Sequence, residues 1–291
     1  MINSNARQGQ IGKIELREIY LEGVKVTENL IKYLCDNFRV EKLTESKSTR
    51  QFDRVLQLRG LLEFKIVNND IFSAAGLTPQ SFNSLVILEI LECKMISLYN
   101  ITQFIIKSST IQKLTIVDCI TNERNYYLIE YIQTVFSEKS GLTSLHLKAS
   151  KSENVTTSGF FQLNVNSDCK LRELTLVNNN FLLYSVQNIL NNAPDLEELD
   201  LRGIKLQQNL NLSVLPELRK LTIDYFHDFT KIIQTIICPT FYELNVVNRM
   251  TENDKRVLEV NMNNLEKQLN GVFPKSFTFV KCKVVINYPN G

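Results

Sequence analysis

Residues Leu171–Phe181 read L-R-E-L-T-L-V-N-N-N-F, and Leu196–Leu206 read L-E-E-L-D-L-R-G-I-K-L. Both place leucine at the first, fourth and sixth positions of one frame. Leu174 and Leu176 stand two apart, so on a strand their side chains leave from the same face. Leu171 precedes them at the turn into that strand. Asn179 follows where the chain bends away, and its amide can pair with backbone groups that the bend leaves unbonded. One such unit cannot cover its own apolar edge and needs stacked neighbours.

The frame supplies those neighbours along the chain. It begins at Ile11 (Ile14, Leu16, Leu21), is weak at Val40 (Leu43 alone in place), and continues at Leu61 (Phe64, Ile66, Asn69, Ile71). Further starts are Leu85 (Leu88, Ile90, Cys93, Met95), Ile111 (Leu114, Ile116, Cys119) and Leu142 (Leu145, Leu147, with Ser150 in the Asn slot). After Leu171 and Leu196 come Leu218 (Leu221, Ile223), Phe241 (Leu244, Val246) and Pro274 (Phe277, Phe279, Cys282, Val284). These starts lie about 26 residues apart on average, inside the 20–29 of a repeat that pairs a strand with a helix.

Between strands the apolar period turns helical. Thr27–Phe38 puts Leu30, Ile31, Leu34 and Phe38 on one face, with Thr27 as N-cap. Leu98–Lys107, Asn122–Phe136, Phe181–Asn191 (which stops before Pro194), Phe229–Ile237 and Thr251–Leu269 read as further helices. Glu153–Asp168 and Gln207–Pro216 are too short or too polar for one. No linker or low-complexity tract interrupts the series, so residues 1–291 read as a single domain.

The repeats from Leu61 to Phe241 resemble ribonuclease-inhibitor-like leucine-rich repeats, above all those of F-box substrate receptors. The likeness rests on the irregular period, on P-D-L-E-E-L-D-L at Pro194–Leu201, and on cysteine in the Asn slot at Cys93 and Cys119. It implies an α/β leucine-rich-repeat solenoid, a horseshoe of about ten or eleven repeats with a parallel concave sheet and convex helices. It further implies a non-catalytic protein–protein interaction module. In that reading the chain recognises substrates for an F-box-type ubiquitin ligase, with ligase subunits among its partners. The alternative is an enzyme-wrapping inhibitor or activator of the ribonuclease-inhibitor type.

Composition narrows the remaining classes. With 33 Lys and Arg against 31 Asp and Glu, the net charge of +2 gives no basis for a nucleic-acid partner. The N-terminal M-I-N-S-N-A-R-Q-G-Q-I-G-K has no apolar signal core, and no apolar run approaches the ~20 residues of a membrane span. A cytoplasmic or nuclear location is therefore expected, with no membrane partner, the six cysteines as free thiols, and the sequons at Asn100, Asn154 and Asn211 unused.

Cys93, Cys119 and Cys282 read as structural ladder residues, Cys35 and Cys238 as core, and Cys169 as an apolar edge before a repeat. No C-x-x-C pairing offers zinc ligands. His227, between Asp224 and Asp228, reads as part of a capped turn rather than a metal site. His146, between Leu145 and Leu147, should project from the concave face near Thr115 and Thr175, with no serine or cysteine nucleophile beside it. No phosphate-binding, dinucleotide or H-E-x-x-H motif occurs. The expectation is thus no enzyme, no cofactor and no metal.

The outward columns of the strands carry the sharpest signal. The last column holds Arg17, Val67, Leu91, Val117, Lys148, Val177, Arg202, Asp224, Val247 and Val280. Most of these are apolar although the register turns them away from the core. Strand propensity alone would favour valine there. The functional reading is a binding stripe for a protein segment, with Lys148, Arg202 and Asp224 setting its orientation and His146 and Asp200 beside it.

Overall fold

The computed structural model describes residues 14–47, 58, 60–69, 84–93, 101, 105, 108, 110–119, 141–148, 170–177, 183–204, 210–224, 235, 241, 243–247 and 283–287. Its frame is a single sheet of eleven strands in which sequence order is spatial order. The strands are β1 (Ile14–Glu22), β2 (Phe38–Ser46), β3 (Glu63–Val67), β4 (Ile87–Leu91), β5 (Lys113–Val117) and β6 (Ser144–Lys148). They continue with β7 (Glu173–Val177), β8 (Glu198–Asp200), β9 (Lys220–Asp224), β10 (Glu243–Val247) and β11 (Lys283–Asn287). Every neighbouring pair is parallel. Each strand is thus one turn of a parallel-strand solenoid.

The repeating apolar positions explain why the turns stack. The start residues Leu61, Leu85, Ile111, Leu142, Leu171, Leu196 and Leu218 are all at most 3% exposed. So are the fourth-position residues Phe64, Leu88, Leu145, Leu174, Leu199 and Leu221. Each faces its counterpart one turn away: Leu174 pairs with Leu145 on one side and Leu199 on the other. Burying each such side chain fully contributes roughly 1.5–3 kcal/mol.

Two helices are described. Thr27 caps α1 (Glu28–Asn37), its hydroxyl accepting from the Leu30 amide at 3.3 Å. Val26 and Ile31, the two staple positions, are both buried. Helix α2 (Leu183–Asn191) sends Val186, Ile189 and Leu190 into the core before Pro194 ends the run. Ile101 and Ile105 are helical and buried, on the expected face of Leu98–Lys107. Between turns β8 and β9, residues 210–217 form turns rather than a helix and fill the core with Leu210, Leu212 and Leu215. The helices expected at Asn122–Phe136, Phe229–Ile237 and Thr251–Leu269, and the connection Glu153–Asp168, lie outside the described residues.

The first turn corrects the frame. Ile14 is 61% exposed, and Ile19 and Leu21 pair with Leu43 and Glu45, which in turn pair with Phe64 and Ile66. The repeat therefore starts at Leu16 with Ile19 and Leu21, five residues after the expected start at Ile11. Its outward columns are Glu18, Tyr20 and Glu22 instead of Lys13, Glu15 and Arg17. The run I-x-L-x-x-I-x-L offers apolar alternation in both frames, and only the strand pairing chooses.

Behind the strand ends runs a ladder of Asn69, Cys93 and Cys119. The Cys93 thiol donates to the Leu91 carbonyl at 3.3 Å, and Cys119 to Val117 at 3.3 Å and Ile90 at 3.4 Å. Cys35, Cys93 and Cys119 are free thiols. The hydrogen bond with Cys93, then burial, push the Cys119 thiol well above its ordinary range.

Leu199→Ala should cost about 2–5 kcal/mol in denaturant melts, because its cavity opens between two stacked turns; a near-zero cost would remove this register. In native protein, the buried Cys93 should react with a thiol reagent more slowly than the half-buried Cys35, and Cys35, Cys93 and Cys119 should all react fully after denaturation without reductant.

Candidate functional site

Residues at odd strand positions face away from the core and are aligned by the pairing into three rows. The last row runs Val67, Leu91, Val117, Lys148, Val177 in unbroken register. Its four apolar members are half-buried and Lys148 is exposed. Val117 and Val177, two strands apart, lie about 10 Å from each other at the usual strand spacing.

The row does not continue evenly. Strand β8 ends at Asp200, so Arg202 leaves the ladder and folds back in a two-pronged contact with the Asp200 carboxylate, at 2.9 Å from Nε and 2.7 Å from Nη2. Asp224 accepts the Gly203 amide at 2.5 Å, in a turn where Gly203 has φ of 75°. Arg202 and Asp224 are therefore each engaged within the chain. Val247 pairs with Asp224 through the backbone; its side chain lies outside the described residues.

The middle and first rows form a polar network centred on His146. The pairing sets it between Thr115 and Thr175, as expected. Its Nδ1 meets the Thr175 hydroxyl at 2.8 Å. Its Nε2 meets Ser144 Oγ at 2.7 Å and Glu173 Oε2 at 3.3 Å. The expectation that no serine stands beside His146 is overturned. Ser144 is two residues earlier on the same strand, hence on the same face. The Thr115 hydroxyl is buried without a hydrogen-bonding partner.

The chemistry of this group follows from its donors. Ser144 donates to Glu173 at 2.7 Å, so its oxygen is free to accept from the imidazole. That assigns the proton to Nε2 and leaves Nδ1 to accept from Thr175. A Ser–His–acid relay needs the acid on the nitrogen opposite the serine; here serine and carboxylate share Nε2. Ser144 is only 5% exposed. The group holds a shape rather than presenting an activated nucleophile. Burial first, then the Lys113 ammonium, push His146 below the ordinary imidazole range; Lys148 acts in the same direction and Glu173 against it.

Beside it opens a cleft of about 280 Å³ whose lining includes His146, Glu173, Glu198, Arg202, Lys220 and Asn245. Lys220 lies 3.9 Å from Glu198 and 3.5 Å from Glu243. Asn245 donates to Glu243 at 2.7 Å. Glu173, Glu198 and Lys220 are the same position of successive repeats, and the aligned register is the signal that they line one cleft.

Among the described residues, no group of three or more His, Cys, Asp or Glu could hold a metal ion, and no helix is long and apolar enough to cross a membrane. His227 and Asp228 lie outside the described residues. No protein-family model matches the chain, and no curated protein matches it.

A His146 held neutral by the fold resists a proton that the unfolded chain accepts. Its contribution to stability is full above about pH 6.5 and is lost as pH falls from there through the folded value. Stability should therefore rise with pH in that window, and His146→Gln should flatten the slope in denaturant melts taken across pH. An unchanged slope would remove this role.

Proposed function

We propose that the chain is a leucine-rich-repeat protein that binds a protein partner across the outward face of its sheet and does no chemistry there. Its turns would coil as a horseshoe with this face on the concave side and helices on the convex side. One observation carries the reading: the unbroken row Val67, Leu91, Val117, Lys148, Val177 lines up apolar side chains on the face turned away from the core. A flat row at strand spacing suits an extended segment or a strand-edge surface.

In the form supported by the resemblance of the repeats, the partner is a substrate presented to an F-box-type ubiquitin ligase. The free thiols of Cys35, Cys93 and Cys119 support a reducing compartment, the cytoplasm or nucleus. The mixed-charge cleft next to the row supports a second reading, an inhibitor or activator that wraps an enzyme over a wider area.

The test compares Val117→Asp/Val177→Asp with Val117→Thr/Val177→Thr at matched circular dichroism and melting temperature. Threonine keeps the branched shape, so that pair should retain partner capture from cell extract, while the aspartate pair should lose tenfold or more. Capture by the aspartate pair equal to wild type would sink the surface. Cullin-ligase subunits in the captured material would favour the first reading, and one dominant enzyme the second.

A further inference from the structure

The outward face changes character along the sheet. On β3–β5 its charges balance: Glu63 and Glu89 against Lys65 and Lys113. On β6–β10, with the Arg202 turn, five carboxylates (Glu173, Glu198, Asp200, Asp224, Glu243) stand against three cations (Lys148, Arg202, Lys220). The chain as a whole carries +2, so this half of the face is acidic against the trend of the protein.

Of these three cations, the two that line the cleft are already committed. Arg202 is held by Asp200, and Lys220 is shared between Glu198 and Glu243. Glu173 has no lysine or arginine within ion-pairing distance among the described residues; its contacts are Ser144 and a neutral imidazole. Glu173 and Glu198 are direct neighbours across β7 and β8. Like charges so placed repel. Both side chains are open to solvent, at 43% and 47% exposure, and both line the cleft. A single cation seated between them would relieve the repulsion and halve the excess of negative charge.

We propose that the cleft on β6–β10 receives a lysine or arginine side chain from an extended basic segment of the partner. This rests on the outward-face reading above and names the partner's chemistry. Arg172 does not fill the place, since it pairs with Glu197 at 3.6 Å.

The probe is a fluorescein-labelled eight-residue peptide of alternating lysine and threonine, with arginine–threonine and glutamate–threonine counterparts, read by fluorescence anisotropy against the full chain. Wild type should bind both basic peptides in preference to the acidic one, and more weakly as salt is raised. Glu198→Gln should lose about tenfold in affinity while its melting temperature stays equal or rises, because the like-charge pair is gone. Glu198→Asp, which keeps the charge, should retain most of the binding. The opposite movement of affinity and stability separates a recognition role from a structural one. No preference for basic over acidic peptide in wild type, or equal binding by wild type, Glu198→Gln and Glu198→Asp, would overturn the proposal. If partner capture still depends on Val117 and Val177 when basic peptides fail, this inference falls alone. If capture ignores those valines, the surface reading itself falls.

Discussion

The structure depends on one repeated backbone joint. The Leu62 carbonyl accepts two amides from the next turn, Val86 at 2.8 Å and Ile87 at 3.0 Å. Val86 does the same for Gln112 and Lys113, Gln112 for Thr143 and Ser144, Thr143 for Arg172 and Glu173, Arg172 for Glu197 and Glu198, and Glu197 for Arg219 and Lys220. Strands of five residues or fewer cannot satisfy their own backbone groups. The joint fixes the pairing without slip, and a one-residue slip would exchange the core face for the outward face along the whole strand. Every statement about which residues share a row therefore descends from this contact.

At the opposite end of each strand a second device repeats. Gly23, Lys47, Asn68, Glu92, Asp118 and Gly203 all have positive φ. They occupy one equivalent place, just past the last outward residue of their turn. The amides of the first five continue the ladder, as in Asn68 to the Leu91 carbonyl at 2.9 Å and Glu92 to Val117 at 2.8 Å, while that of Gly203 goes to the Asp224 carboxylate. The left-handed conformation costs a residue other than glycine roughly 1–2 kcal/mol. Nothing in Lys47 or Glu92 announces it, because those side chains are ordinary there. The stacked amide bond imposes the conformation, and only Gly23, Asn68, Asp118 and Gly203 are of types that tolerate it well.

The same contrast separates what was legible in the sequence. The leucine frame from Leu61 to Leu218 was readable because apolar spacing and burial coincide at each turn. The Thr27 cap and the stop before Pro194 were readable because they are local chemistry. The first turn was not, since Leu16 fits two frames and Glu45, buried in a core slot, conceals the period of its neighbour. At the site, His146 between two threonines followed from register alone. Ser144 was missed although period-two alternation placed it on the same face. The folding back of Arg202 onto Asp200 was not legible, because the sequence shows no sign that β8 stops after three residues.

The cleft lies beside that shortened strand. On either side of β8 the strands keep five residues, and their outward rows run three deep. At β8 the chain turns away after Asp200, and Arg202 folds back on the residue it would otherwise follow. The cleft is lined there by Glu198, Asp200 and Arg202, by Glu173 and Thr175 of β7 and by Lys220 and Thr222 of β9. Its apolar lining is limited to Leu174 and Leu199, since the leucines of these strands are committed to the core face, where Leu174, Leu199 and Leu221 are buried. The like-charged pair Glu173 and Glu198 belongs to the first row, which runs unbroken from Ser144 through Glu173 and Glu198 to Lys220 and Glu243, so the repulsion between them is fixed by the register that also lines the cleft.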